Sequence, residues 1–392
     1  MSKDRLRIAY LCDMSPLNRN LYSGGNARIY DSLRKHAGEV TILSRSWHAL
    51  EPVRQLIHKT PDAVNLRLRW RMHLALSRYI ARGVEKELSK KPYDVLFCAY
   101  SFQSLCNVTT PKTMVTAYTS DATQTTYRLS EIGNHYKSWL GIGRRLDGWV
   151  ERCEYATFHD TDLLLWPSKW QKDLADQRYG LSEAQSRLVP WGANLDTPPP
   201  PFARTEIHRT EPVRLLLIGR DWFAKGGPVA FDTMKELRTR GIDARLTVIG
   251  CVPPDFHVNE WVTVHPQLDK AVPEDLAHFN AELTRAHFLV QPSYESYGFA
   301  YCEASGFGLP SLCLRVGGVP IRNGVNGFAL PVGSGPKEFA DKIMDYVMAP
   351  QDYIALTVAA HTEYEESLNW DAWGRTTTGL LHDALEQKRR GV

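Results

Sequence analysis

Short apolar runs punctuate this chain, and longer polar stretches with their own periodicity separate them. Residues 7–12 (RIAYLC) form the first run, followed by 40–44, 94–98, 113–117 and 163–166. Runs of this length bounded by polar residues predict buried strands. Residues 26–35 carry helical spacing instead. Strand and helix in alternation predict a parallel sheet with helices on both faces, because parallel neighbours require a crossover connection.

The pattern then breaks. Residues 196–212, DTPPPPFARTEIHRTEP, hold four consecutive prolines and no periodic apolar positions. A proline run continues neither a helix nor a central strand, so this segment predicts an extended linker. The alternation restarts at 213–218 and continues through 245–249, 262–264, 288–291 and 311–315. Two similar α/β halves follow, with a cleft facing the carboxyl ends of their strands as the expected place for a ligand.

Composition narrows this picture. The chain has 392 residues, 43% hydrophobic and 23% charged, which suits two ordinary globular domains. A net charge of +3 gives no reason to expect nucleic acid as a partner. The seven cysteines are scattered, odd in number and without a Cys-x-x-Cys pair, which argues against a disulfide framework or a structural zinc site. No signal peptide and no spanning apolar stretch are legible, so the reading is a cytoplasmic protein, with peripheral contact at the inner face of the membrane in one version. That version rests on residues 54–91, where ten Lys or Arg face three Asp or Glu. Arg67, Arg69, Arg71, Arg78 and Arg82 interleave there with Leu66, Trp70, Leu74 and Ile80. Such a helix either solvates a basic face or rests on an anionic leaflet.

Two stretches carry candidate chemistry. In LLLIGRDWFAKGGPVAFDTMKEL, residues 215–237, a strand ends at Gly219 and a loop carries Arg220 and Lys225 before two glycines and a proline open a helix. Two cations at the carboxyl end of a strand suit a diphosphate, and an ordinary exposed loop explains them as well. In LVQPSYESYGFAYCEASGFGLPSL, residues 289–312, Glu295 precedes a helix start at Gly298 and Glu303 lies further along it. Free amides near Gly298 and Phe299 would attract an anion, with one carboxylate on each side for hydroxyls. The Asp-x-Asp of HDTD, residues 159–162, reads more readily as a polar strand entry than as a metal site, and the chain has neither HExxH nor GxGxxG.

ESYGFAYCEASGFGLP resembles the Glu-x7-Glu signature of the retaining GT-B glycosyltransferases of glycosyltransferase family 4. SGGNARIYDSL, IGRDWFAKGG and ESLNWDAWGRTTTGLLHDAL resemble, in order, the same family's Gly-Gly loop, its Gly-Arg…Lys-Gly loop and its C-terminal segment. The resemblance implies two Rossmann-like doubly wound domains facing a central cleft: 1–195 on the acceptor side, a linker at 196–212, a nucleotide-sugar domain at 213–365, and a segment 366–392 crossing back. It implies a nucleoside-diphosphate-sugar donor and a hydroxyl acceptor, a glycan or a lipid, with no metal and no other cofactor. Arg220 and Lys225 would bind the diphosphate. Glu303 would hold ribose hydroxyls and Glu295 a sugar hydroxyl. Ser296 and the amides of Gly298 and Phe299 would line the donor, and Gly25 would admit its phosphates. Asp121, in AYTSDAT, would orient the acceptor. Ser296 and Tyr297 stand where the family often has Gly-Phe, and no histidine precedes Asp121. A sugar-nucleotide epimerase or hydrolase, or a non-catalytic nucleotide-sugar or glycan binder, shares the same fold.

Overall fold

The computed structural model describes residues 5–44, 46–47, 50–59, 62–135, 146–196, 204, 206–207 and 211–391, with the backbone alone at 57–59, 62–68 and 135. The chain divides into two compact units, Met1–Trp191 with Trp370–Val392, and Gly192–Asn369.

The first unit is built on six parallel strands: β1 (Leu6–Cys12), β2 (Gly38–Ile42), β3 (Val95–Ala99), β4 (Val115–Thr119), β5 (Leu163–Trp166) and β6 (Ser186–Leu188), in the order β2-β1-β3-β4-β5-β6. Ile8, Ala9, Tyr10 and Leu11 of β1 are all fully buried, as a central strand covered on both faces requires. The strand read at 113–117 starts two residues later, because a turn from Met114 N–H to the Pro111 carbonyl occupies its first positions. β6 has only three residues and an exposed arginine, so it leaves no apolar run in the sequence.

The second unit repeats the plan with β7 (Val213–Ile218), β8 (Ala244–Ile249), β9 (Val262–His265), β10 (Phe288–Val290), β11 (Ser311–Leu314) and β12 (Gly327–Leu330), ordered β12-β11-β10-β7-β8-β9. Both sheets are Rossmann-like: in each, strand order reverses beside the unit's first strand, between β1 and β3 and between β7 and β10. Loops leaving the carboxyl ends of the strands on either side of such a reversal diverge and open a crevice.

The helix Trp370–Gly391 belongs to the first unit. Its Trp373 is buried with its ring edge-on to Phe97, 6.1 Å between centroids. Gly374 sits where a Cβ would lie 2.4 Å from Ser32 Oγ, so only glycine permits this approach. The proline-rich segment contributes to the second unit. Arg204, buried, donates to the carbonyls of Phe307 at 3.0 Å, Leu283 at 2.7 Å and Ala286. These carbonyls stand at the C-terminal ends of the helices Pro273–Arg285 and Phe299–Gly306, where the helix itself supplies no donors.

The basic stretch 54–91 is not one helix. It lies in three, Glu51–Lys59, Asp62–Ala75 and Ser77–Leu88. Pro61, with no N–H to donate, separates the first two in sequence.

Candidate functional site

The reversal in the second sheet brings the loops after β7 and β10 together. Gly219 ends the first strand. A Cβ there would stand 2.3 Å from Lys225 Cγ, so the missing side chain is what lets the lysine stem fold back over the strand end. Gly226 has φ +76°, and a Cβ on it would meet the Pro292 carbonyl oxygen at 2.4 Å. The Lys-Gly-Gly sequence thus serves close approach of one loop to the other. The helix Gly227–Thr239 begins there, with Pro228 in its first turn.

Lys225 Nζ then reaches Glu295 Oε1 at 2.8 Å. The same oxygen accepts from Gln291 Nε2 at 2.8 Å and from Ser293 Oγ at 2.7 Å. Tyr301 donates to the Gln291 carbonyl at 2.9 Å and so fixes the backbone beneath. Burial pushes the Glu295 carboxyl up, but the charge of Lys225 and the hydrogen bonds from Lys225, Ser293 and Gln291 outweigh it, and the group sits below its ordinary value. Glu295 is therefore a fixed anion near neutral pH.

Gly298, at φ +98°, is the N-cap of the helix Phe299–Gly306 and has no side chain of its own to cap it. A Cβ at Gly298 would fall 2.6 Å from the Tyr301 ring and 3.1 Å from Glu295 Oε2. The amides of Phe299 and its successor therefore begin a helix directly beside the anchored glutamate. Ser296 lies in the same loop, with its carbonyl accepting from Gly318 N at 2.9 Å. Glu303, 4% exposed, lies one turn into the helix and pairs with Lys270 Nζ at 2.7 Å. Lys270 also stands 4.0 Å over the Phe279 ring. Arg220 is exposed and makes no hydrogen bond or ion pair with another described residue.

Glu295, Lys225, Gly298 and Phe299 are thus one constellation, and Arg220, Ser296 and Glu303 lie on the same two loops and helix. Gln291, Ser293 and Lys270 belong to it as well and were not singled out in the sequence. Gly25 and Asp121 lie in the other unit. Gly25 is a buried, helical residue at φ −57°, and the left-handed position is its neighbour Gly24 at φ +86°. Asp121 follows β4, with Ser120 Oγ 3.5 Å from its Oδ1.

The remaining sequence leads find structural partners. Asp162 of HDTD accepts from Thr116 N at 2.7 Å and pairs with Lys388 at 2.9 Å. No cluster of three or more metal-ligating side chains occurs among the described residues. Arg71 is buried in an ion pair with Asp147, and Trp70 packs edge-on against Tyr127 with centroids 5.8 Å apart. The side chains of Leu66 and Arg67 lie outside the described residues. Arg78, Arg82 and Lys86 form an exposed stripe on the helix Ser77–Leu88, whose opposite face buries Ile80, Val84 and Leu88. Among the described residues, no helix is long and apolar enough to cross a membrane.

Comparison with known proteins bears on the family and the fold. The family described as Glycosyltransferase Family 4 matches residues 27–197, and Glycosyl transferases group 1 matches residues 212–348. The D-inositol 3-phosphate glycosyltransferase of Corynebacterium glutamicum is 25% identical over 252 residues, 59% of this chain and 60% of that protein. The protein of the same name from Corynebacterium efficiens is 26% identical over 293 residues, 69% of this chain and 65% of that protein. The chain therefore spans less than two thirds of either relative. Sucrose-phosphate synthase from Thermosynechococcus elongatus shares the fold with a TM-score of 0.64 at 16% identity, covering 98% of this chain and 100% of that one. Anabaena HepE, solved with UDP and glucose, gives 0.61 at 12% identity, with 97% and 100% covered. With both halves matched by glycosyltransferase families and both sheets of the Rossmann-like kind, the chain belongs to the GT-B glycosyltransferases.

Proposed function

We propose that this protein transfers a sugar from a nucleoside-diphosphate-sugar to a hydroxyl acceptor, with retention at the anomeric carbon. The observation that carries the reading is the Lys225–Glu295 pair at the strand-order reversal of the second unit, with Arg220 exposed on the same loop.

The chemistry needs a stabilised diphosphate leaving group. Arg220 and Lys225 supply positive charge, and the amides at Gly298 and Phe299 supply fixed dipoles, all in place before reaction. Lys225 is held by Glu295, so it reaches the diphosphate with little ordering left to do. Glu303 takes the ribose hydroxyls, its charge balanced by Lys270. Glu295, with one oxygen committed to three donors, offers the other to a sugar hydroxyl. Being held ionised, it has no proton to give the leaving group.

In the step itself the bond from the anomeric carbon to the diphosphate oxygen breaks, and a bond from the acceptor oxygen forms on the same face. The acceptor's proton passes to the departing phosphate oxygen. No protein base is then required, and Asp121 orients the acceptor. A panel of UDP-, GDP- and ADP-sugars, assayed for nucleotide release with and without EDTA, tests the reading. Release that depends on an added acceptor and persists in EDTA supports it. Release that is acceptor-independent favours a hydrolase, and binding without release favours a silent binder.

A finer reading concerns location. The Arg78–Arg82–Lys86 stripe, with half-exposed Tyr79 beside it, favours peripheral contact with an anionic leaflet and hence a lipid-borne acceptor.

A further inference from the structure

The first unit carries a group of cations at the amino ends of its strands, the opposite end of the sheet from its crevice. β1 and β2 run parallel with Leu6 beside Gly38, and Leu6 N donates to the Ala37 carbonyl at 3.1 Å, just past the helix Gly25–His36. A cavity of about 840 Å³ opens between these two strand ends and the last turns of the helix. Four cations line it, Arg5, Arg7, Arg34 and Lys35, against two acids, Asp31 and Glu39.

Four of these six charges are engaged by residues outside the lining. Asp31 accepts from Arg19 at 2.7 Å, and Glu39 pairs with Lys91 at 3.0 Å. Arg7 pairs with Asp94 at 2.9 Å and Lys35 with Asp371 at 2.7 Å. Arg5 and Arg34 are left over. Among the described residues, the Arg5 side chain donates only to the Arg34 carbonyl, at 3.4 Å. The Arg34 side chain makes no hydrogen bond or ion pair with another described residue. Its guanidinium lies 5.4 Å from the centre of the Tyr30 ring, which stands edge-on to buried Tyr10 with centroids 5.6 Å apart. Arg34 therefore rests on a fixed ring with its N–H groups unspent.

We propose that this cavity is an anion site separate from the donor site, and that its ligand is a compact phosphorylated small molecule held by Arg5 and Arg34. Tyr30 is only 8% exposed, so the cavity gains little by covering a base or a hydrocarbon, and affinity must come from charge. A guanidinium fork pairs with two phosphate oxygens at once. Phosphate groups also bring enough charge in one small molecule to answer two guanidiniums, whereas an acidic peptide brings one charge per residue and pays to order its backbone. The helix ends here with the negative end of its dipole, and Arg5, donating to the Arg34 carbonyl, offsets it. The donor cations Arg220 and Lys225 belong to the second unit, so this site stands or falls independently of the transferase reading.

The test is calorimetry of inorganic tripolyphosphate with the full chain at about 0.15 M salt, where long-range attraction is screened. Titrations are made on Arg220→Ala, which weakens the donor site. The expected result is binding in that protein, reduced at least five-fold by adding Arg34→Gln and at least twenty-fold by adding Arg5→Gln with it. Arg152→Gln with Arg187→Gln removes two exposed arginines of the same unit and should change affinity less than two-fold. UDP affinity, measured without the Arg220 change, should be the same in Arg34→Gln as in the wild type. Urea midpoints report folding, and Arg34→Gln alone decides if the double variant fails to fold, since it leaves the Arg5 hydrogen bond to the backbone in place. Loss of tripolyphosphate binding in Arg220→Ala itself would assign the anion to the donor site and overturn the proposal. So would binding indifferent to Arg34→Gln, or an equal loss in the Arg152 and Arg187 control, which would mean that the probe reads net charge alone.

Discussion

Lys225 Nζ lies 2.8 Å from Glu295 Oε1 across 70 positions of sequence, so one ion pair joins the loops on either side of the second unit's strand reversal. The Glu295 side chain is 17% exposed, and Lys225 is its only cationic partner among the described residues. Lys225→Met should therefore lower stability as well as donor affinity. Losing a charged hydrogen bond to a largely buried group costs about 1.5–3 kcal/mol. A urea titration of variant and parent reads it, and an unchanged midpoint would mean the pair is not a structural tie.

Arg220 offers the contrast. It is exposed and makes no hydrogen bond or ion pair with another described residue, so Arg220→Ala should leave stability within about 0.5 kcal/mol. Donor affinity should still fall by roughly tenfold or more, because a charge-assisted contact to the diphosphate is gone. Calorimetry with UDP and GDP decides. Undiminished affinity would remove Arg220 from the donor site.

Glu303→Gln should weaken nucleotide binding by about 1.5–3 kcal/mol, the worth of a charged hydrogen bond to ribose. A deoxyribonucleoside diphosphate lacking the 2′-hydroxyl should lose much of that difference between parent and variant. Equal losses for both nucleotides would assign Glu303 to the pair with Lys270 alone.

His287 sets an acid limit on the second unit. Burial, and after it the charges of Arg214 and Arg204, push its imidazole down to about 4. Its Nδ1 accepts from Arg214 N at 3.0 Å, which requires that nitrogen to be unprotonated. The unfolded chain takes up this proton near the ordinary value of about 6.5, well before the folded protein does. Stability from this group is thus full above about pH 6.5 and declines as pH falls toward 4, by on the order of 3 kcal/mol. Denaturation midpoints at several pH values should show that slope, reduced in His287→Asn, which keeps an acceptor for Arg214. The same slope in both proteins would refute the assignment.

The exposed stripe of Arg78, Arg82 and Lys86 is the part of the basic stretch to test against vesicles. Co-sedimentation with anionic vesicles should appear at low salt, weaken at high salt, and fall when all three become Glu, each charge being worth about 1 kcal/mol. Absence of binding at low salt would discard the membrane reading without touching the transfer chemistry.

Most strands were legible because central parallel strands are buried on both faces and so read as unbroken apolar runs, as VRLLLI does in β7. β6 and β12 were not, since an edge strand of three or four residues needs no such run. Lys225 and Glu295 could be singled out separately from their loops, but their contact is a product of topology. Lys270 left no local signal: nothing around it announces a partner 33 residues away. Ser293 did leave one, two positions before the glutamate, and only the fold shows that its hydroxyl points back to it. The helical period of 65–88, the core of the basic stretch, predicted a basic surface helix. Periodicity reports which face is apolar, but it is silent on an internal partner such as Asp147, which takes Arg71 out of the surface.

The buried guanidinium of Arg204 alters where the second unit begins. Arg204 lies among backbone carbonyls, two at the end of one helix and one at the end of the helix that carries Glu303. A fragment started at residue 212, where the group 1 match begins, would lack it and leave those carbonyls buried without donors. The autonomous folding unit therefore starts upstream of the homology boundary, and what looks like a tether between domains is, at this residue, the keystone of one of them.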